Sequence, residues 1–562
     1  MKVLNEADPA RKTLSFSQYS AVPAYNMQFA IGPFEKVKFS DFREIEEDDA
    51  MGAIAVDVTG YCLPGRKKEL ENTCCFMHKV SSIPLTLILD STNMLFLQAV
   101  DFFVKDFGSY PYSEYKLCFV DDLPVETLES ASLSLCSNHL LFPETVLDPI
   151  FENTHRLTYT LASQWVGVNI TPKDWADVWL TIGIASYMTG LFLRVLNGKN
   201  ESRFQLKRDV EQICELDVGR PSLHAQGLRV PIDESELEFI KLKAPVVLNI
   251  LDTRLEKAAG SQVLHRTIRR LILQSTSGEL PNNELSTPHF IKWCEKLSHS
   301  KLNKFFDQWV FGSGYPRFEV SQRFNKKKLV IEMGIKQVQT TETPQRKLNP
   351  KEFMMDARAS LQGVVAPPIV PVFSGPMTIR IHEADGTPYE HVVNITEGYT
   401  KLDIPYNTKY KRLKRTRRQK ERAAAGAGVD VGVDSDDVLL YCLGDVLQSE
   451  EEIQDWKIEE WSKEEEEKMS QESFEWIRMD ADFEWICSIT LNQPDYMFLS
   501  QLQQDRDVVA QYEAIQHFSR ARESPLVSSI LVRTLMDRRY YYGIRIEAAN
   551  ALARVYCFRS NG

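Results

Sequence analysis

Residues 155–190 read HRLTYTLASQWVGVNITPKDWADVWLTIGIASYMTG. On a helix, two histidines at i and i+4 share one face and can bind zinc through imidazole nitrogen. A distant carboxylate completes the ligand set, and a glutamate between the histidines acts as base toward metal-bound water. Here the positions with that spacing hold Tyr159, Thr160, Ser163 and, further on, Ile182. Neutral hydroxyls are poor zinc ligands at neutral pH, and Ile182 has no lone pair. His155 precedes Tyr159 by one helical turn, but no glutamate or second histidine completes a shifted motif. Cys74, Cys75 and His78 lie close together and lack a fourth ligand and a second pair. Tyr159, Thr160, Ser163 and Ile182 supply neither the imidazole nor the carboxylate that metal-dependent hydrolysis needs.

The residues around these positions extend the pattern. Ser163-Gln164-Trp165-Val166-Gly167 leads through Asp174-Trp175 to Asp177-Val178-Trp179-Leu180 and ends in Gly183-Ile184-Ala185-Ser186-Tyr187. This resembles the gluzincin zinc aminopeptidases, whose motif is H-E-x-x-H-Q-W-x-G followed by the glutamate of W-L-N-E-G-x-A-S-Y. In that family a tyrosine in a Y-x-K-G context stabilises the tetrahedral intermediate. The matching segment here is Lys241-Leu242-Lys243-Ala244, with Lys241 at the tyrosine position. The family's G-x-M-E-N motif has no intact copy in Glu126–Ser132. The resemblance implies a pseudo-aminopeptidase with no catalytic residues, no metal and no cofactor. It implies that Trp165, Gly167, Trp175, Trp179, Gly183 and Ala185-Ser186-Tyr187 are kept because they pack helices together.

Those helices need a frame, and composition permits one. The 562 residues are 43% hydrophobic and 26% charged, enough for about three to four domains. The formal net charge of −12 argues against an evenly basic protein but allows a local basic patch. Ten cysteines without regular spacing point to a reducing compartment rather than a disulfide framework. MKVLNEADPARK has no apolar core, so no secretory signal is expected. Ile83–Val104 is interrupted by Asp90, Asn93 and Asp101 and reads as a buried helix, with no membrane span.

Alternation in short runs over 13–40, such as Tyr25–Gly32, predicts strands, as it does at 52–60 and Lys116–Val120, and 65–82 reads as a surface insertion. Helical spacing covers Leu87–Phe107 and most of 144–312. After the breaker Gly312–Pro316, strands at Phe318–Ser321, Leu329–Met333, Met377–Ile381 and Val392–Ile395 predict an antiparallel β domain, with 338–375 as a loop. Helices follow at Phe498–Phe518, Pro525–Asp537 and Tyr541–Tyr556. The expected architecture is multidomain α+β and aminopeptidase-like. It comprises the end of an N-terminal β-sandwich (1–53), a thermolysin-like α/β domain (54–313) and a β-sandwich (314–489) with a charged insertion (about 407–470). The start of a HEAT-like α-solenoid (490–562) completes it. The chain stops directly after helical residues and reads as a fragment.

The insertion holds nine cations, Lys409, Lys411, Arg412, Lys414, Arg415, Arg417, Arg418, Lys420 and Arg422, followed by an acidic stretch at 449–467. Such a run fits DNA phosphates, a nuclear import signal, or a solvated segment neutralised by its acidic neighbour. With Tyr410 its one aromatic, base stacking is not indicated. Lys326-Lys327-Lys328 reads as a strand-edge charge cluster. Phe474–Ser519, Asn407–Arg412 and Tyr542–Ala548 resemble a fungal form of the family of the second-largest subunit of the general transcription factor TFIID. That resemblance implies a nuclear, non-catalytic scaffold for RNA polymerase II initiation. Its implied partners are other TFIID subunits, including the largest and a histone-fold subunit, and promoter DNA around the initiator. The alternatives left open are a zinc-independent peptide-binding module and a peptidase with a rebuilt metal site.

Overall fold

A computed structural model of the chain describes residues 2–4, 13–15, 21–39, 56–74, 99–225, 234–260, 262–339, 353, 357, 361, 368–383, 388–406, 443–444, 446–447, 449–459, 462, 474–520 and 524–557. The chain divides into two compact units, Met1–Leu196 with Leu264–Leu297, and Asn197–Val263 with Ser298–Gly562.

In the first unit, β1 (Lys2–Leu4) and β2 (Thr13–Ser15) pair antiparallel. The main sheet has five strands, β3 (Glu35–Lys38), β4 (Asp57–Cys62), β5 (Glu114–Val120), β6 (Thr127–Ser130) and β7 (Leu133–Ser137), in the order β3-β4-β5-β7-β6. β4, β5 and β7 run parallel, and the two edge strands run antiparallel to their neighbours. Parallel neighbours require crossovers. Between β4 and β5 the chain includes α1 (Lys67–Thr73) and α2 (Ala99–Phe107). Central strand β5 buries Tyr115, Leu117, Cys118 and Phe119, as a strand covered on both faces must.

Three expectations change here. β3 belongs to the same sheet as β4, so the boundary drawn at 53/54 falls inside one sheet. Four alternating residues do not reveal which sheet they join. Tyr25–Gly32 is not a strand: Ala24–Asn26 is a short 3-10 turn, and Met27, Phe29 and Ile31 are exposed. Within the expected surface insertion at 65–82, residues 67–73 form a helix that is not wholly at the surface, because Leu70 and Cys74, one turn apart, bury against the sheet. Cys75, His78 and residues 87–98 lie outside the described residues.

α3 (Ile150–Ala162) follows the sheet, then the two-residue β8 (Thr171–Pro172) and α4 (Val178–Leu216). After α5 (Glu234–Ala259), which belongs to the second unit, come α6 (Val263–Thr276), β9 (Glu284–Leu285) and α7 (Thr287–Ser298). β8 pairs parallel with β9. The stretch Trp175–Leu216 is long and apolar enough to cross a bilayer, but 67% of its apolar window is buried in protein. It reads as a core helix. Gly198, at φ 86° and ψ 170°, breaks α4 into two helical pieces.

In the second unit, α8 (Asn303–Trp309) leads into two sheets. β10 (Arg317–Asn325) and β11 (Val330–Gln337) form one hairpin, and β12 (Gly375–Glu383) and β13 (Pro388–Ile395) form another. β14 (Tyr399–Pro405) adds to β11. After α9 (Glu450–Trp456), β15 (Phe474–Met479) pairs with β12, and β16 (Ser488–Leu491) pairs with β10. The β10–β16 pairing is parallel, so the domain is not purely antiparallel. β16 reaches its neighbour from the other sheet rather than through a hairpin, and strand patterns do not specify that. Trp309, Phe318, Phe373 and Trp485 form a ring cluster between these elements, with centroids 5.0–6.1 Å apart.

The chain then turns helical with α10 (Asp495–Gln504), α11 (Val508–Arg520), α12 (Pro525–Met536) and α13 (Tyr542–Cys557). The helix expected over Phe498–Phe518 is two helices. Asp505 is extended, and the Asp507 carboxylate accepts from Val509 N at 3.2 Å, capping a new helix.

Candidate functional site

Tyr159, Thr160 and Ser163 fall on the last turn of α3, and Ser163 is its C-cap. Thr160 is fully buried. Its hydroxyl donates to Leu157 O at 2.8 Å and lies 3.1 Å from the Tyr115 hydroxyl, which donates to Ser134 Oγ at 3.0 Å. Ser163, also buried, donates to Thr160 O at 2.7 Å. These two hydroxyls therefore bond back to their own helix, as Ser and Thr readily do. Tyr159 is half-buried, and desolvation pushes its hydroxyl well above the usual tyrosine range, so it stays protonated. Ile182, partly buried, sits in the first half of α4. The four positions offer three neutral hydroxyls and an alkyl group. Among the described residues no group of three or more His, Cys, Asp or Glu is placed to hold a metal ion. His155 is exposed.

The neighbouring side chains brace the helices. Gln164 is fully buried and accepts from Ser132 N at 3.0 Å and from the Tyr110 hydroxyl at 3.3 Å. Its amide donates to Ser130 O at 3.0 Å, so it ties the end of α3 to the β6–β7 turn. Trp165 donates to Gly108 O and Ser109 O at 3.2 and 3.1 Å and packs edge-on against Phe103 and Tyr110. Gly167 has φ 129°, open to glycine and strained for other residues, and its N–H reaches Ile170 O at 2.7 Å. Buried Asp177 accepts from Thr287 N and Thr287 Oγ1 at 2.9 and 2.7 Å, and Trp179 donates to the same hydroxyl at 3.1 Å. These bonds anchor the start of α7. Trp175 differs from its expected role: it is 36% exposed and its ring packs on Tyr25, at 6.4 Å between centroids.

Lys241 lies exposed on α5, in the second unit. Two residues on, Lys243 is buried with its Nζ 2.7 Å from Asp217 Oδ2, and both side chains are 1% exposed. In the sequence Lys243 stands out only as part of a motif. Its place just before the apolar run Ala244–Leu251 was the available signal, because a lysine inside a core needs a buried acid.

A second polar centre surrounds Asp505-Arg506-Asp507. Arg478 of β15 is 2% exposed and donates to Asp507 Oδ2 at 2.9 Å, with Asp505 and Glu513 at 3.6 and 3.7 Å. Arg203 grips Asp507 with two bonds of 3.0 and 2.6 Å. Trp476 donates to Asp505 at 3.4 Å and stacks on His382 at 4.2 Å. The Arg478 and Arg203 guanidinium groups hold the Asp507 carboxyl below the usual carboxylate range despite burial. The segment thus pins α11 to β15 and to the 199–216 stretch of α4. The cations of 409–422 lie outside the described residues. Lys326, Lys327 and Lys328 occupy the β10–β11 turn, where Asn325 Oδ1 accepts from the last two backbone N–H groups.

Three family models match: the peptidase family M1 domain at 92–309, the TAF2 Ig-like domain at 313–494, and TAF2-like TPR repeats at 495–558. The chain is 50% identical over 555 residues to transcription initiation factor TFIID subunit 2 of Schizosaccharomyces pombe, covering 98% of this chain and 46% of that one. It is 43% identical over 475 residues to the protein of the same name from Saccharomyces cerevisiae, covering 81% and 33%. The chain spans less than half the length of these relatives. A crystal structure of Legionella pneumophila aminopeptidase A in complex with aspartic acid superposes with a TM-score of 0.56 at 12% identity, over 92% of this chain and 46% of the other. That likeness shows the fold. The aminopeptidase-like fold, the following Ig-like region and the closing helices agree with the sequence matches, and the chain belongs to the TFIID subunit 2 family.

Proposed function

We propose that this chain is a non-catalytic structural part of TFIID in the nucleus, a pseudo-aminopeptidase fold used as a scaffold. Its partners are other TFIID subunits, including the largest and a histone-fold subunit, and core-promoter DNA near the initiator. The observation that carries the reading is the 50% identity to a protein named TFIID subunit 2 across nearly the whole chain. Physical support comes from the inverted pattern of use in 155–190. Gln164, Trp165, Asp177 and Trp179 hold helices in place, while Tyr159, Thr160, Ser163, Ile182 and Lys241 stand where the family's chemistry would be. On this reading the fold holds no zinc and needs no cofactor.

Affinity purification of the tagged chain from nuclear extract, with zinc measured on the same material, tests both halves. Co-purification of TFIID subunits at substoichiometric zinc is the expected result. Stoichiometric zinc in the first unit would mean a rebuilt peptidase site. Saturable capture of free amino-terminal peptides without TFIID subunits would point to a peptide-binding module.

A further inference from the structure

α6 and α7 carry five cations, Arg266, Arg269, Arg270, Lys292 and Lys296, against one carboxylate, Glu295. This occurs in a chain whose net charge is −12. Arg266, Arg269, Lys292 and Lys296 are exposed, and the Arg270 side chain is 41% exposed. The two helices are locked together beneath these charges. Trp293 donates to His289 Nε2 at 3.1 Å, and the same nitrogen lies 3.3 Å from Gln274 Oε1 of α6, a packing contact and not a second hydrogen bond. The Arg270 guanidinium lies 5.4 Å and the Lys296 ammonium 4.6 Å from the Trp293 ring centre. Arg270 of α6 and Lys296 of α7 therefore flank the same ring. Within each helix the cations recur one turn apart, so they form two adjacent rows.

Arg270 meets Glu279 at 3.4 Å, but both are well exposed, and such a pair holds its partners weakly. Leu273 is the one large apolar side chain strongly exposed on α6. Protein interfaces have apolar centres and are depleted in lysine. A surface of repeated cations around a covered tryptophan has the opposite character. It matches a ligand whose charge is repeated and whose contacts need no apolar burial, which describes a nucleic-acid backbone.

We propose that the α6–α7 face binds the phosphate backbone of duplex DNA, reading charge rather than base sequence. The inference rests on the promoter-DNA part of the function proposed above and assigns it to this surface. Arg269, Lys292 and Lys296 make the phosphate contacts, with Arg270 positioned by Trp293 beside them.

The test titrates the whole chain and its Arg269→Ser/Lys292→Ser/Lys296→Ser variant against a short fluorescent duplex of arbitrary sequence over a range of salt. The variant should melt at the parent's temperature and bind about tenfold more weakly at low salt. Its log–log salt slope should be shallower by up to about 2.7, at about 0.9 for each phosphate that is no longer neutralised. If the parent binds and the variant keeps the same affinity or the same slope, this face does not touch DNA, and the DNA reading survives elsewhere. If the parent shows no salt-sensitive DNA binding, the DNA reading itself falls, and this proposal with it. Loss of binding to polyglutamate with DNA binding intact would assign the face to an acidic polypeptide and overturn the proposal.

Discussion

At the scale of single residues, the reactive positions and the bracing positions in 155–190 lie side by side and do different work. Ser163 bonds back to its own helix and Thr160 divides its contacts between that helix and Tyr115 of β5, whereas Gln164, Trp165 and Asp177 reach across to other segments. The charges that matter to this fold lie elsewhere, at Lys243–Asp217 and around Asp507. Asp507→Asn leaves Arg478 buried with a longer-range pairing to Asp505 and Glu513. It should cost about 3 kcal/mol, the lower end for breaking a buried pair, because those two acids remain. The folded-state pKa of Asp507 is depressed. Its contribution is therefore fully present above the unfolded carboxyl pKa and is lost as pH falls through the folded value. Urea unfolding should give the largest gap between parent and variant at neutral pH, closing below about pH 4. A gap constant with pH would place the stabilisation in something other than the carboxylate charge.

At the scale of elements, the 39-residue α4 is informative because two of its three glycines, Gly190 and Gly198, have opposite roles. Gly190 has helical geometry, and a Cβ there would meet nothing within 4 Å. Gly198 also faces open space, but at φ 86° and ψ 170° it occupies a region essentially reserved for glycine. Gly190→Ala should stabilise by about 0.4–1 kcal/mol, while Gly198→Ala should destabilise by about 1–3 kcal/mol. Chemical denaturation of the two variants checks this, and like signs would mean that α4 is not broken where the backbone indicates. The apolar periodicity of α4 was readable in the sequence, as were strand segments within β10, β11, β12 and β13, since these depend on local alternation. The break at Asp505–Asp507 and the parallel β10–β16 pairing were not. The first depends on an aspartate capping a new helix, and the second on a strand arriving from another sheet.

At the scale of the whole molecule, a net charge of −12 coexists with separate basic regions. Nine cations cluster in 409–422, between β14 and β15 in sequence. If the run contacts phosphates, deleting it should lower non-specific DNA affinity and make its salt slope shallower, with the melting temperature unchanged. An unchanged slope, measured by the same titration, would leave the run as an import signal or a solvated insertion.

The sequence by itself determined the α+β class, the aminopeptidase resemblance and the residue types at the reactive positions. All three are carried by identity and spacing along the chain, and an alkyl group at Ile182 is an alkyl group in any fold. Only the tertiary structure decided that β3 joins the main sheet, that Trp175 lies at the surface, and that Lys243 is neutralised by Asp217. It also decided that Arg270 and Lys296 flank Trp293 across two helices. These facts depend on packing between segments distant in sequence. Local periodicity records which face of an element is buried, but not what it is buried against.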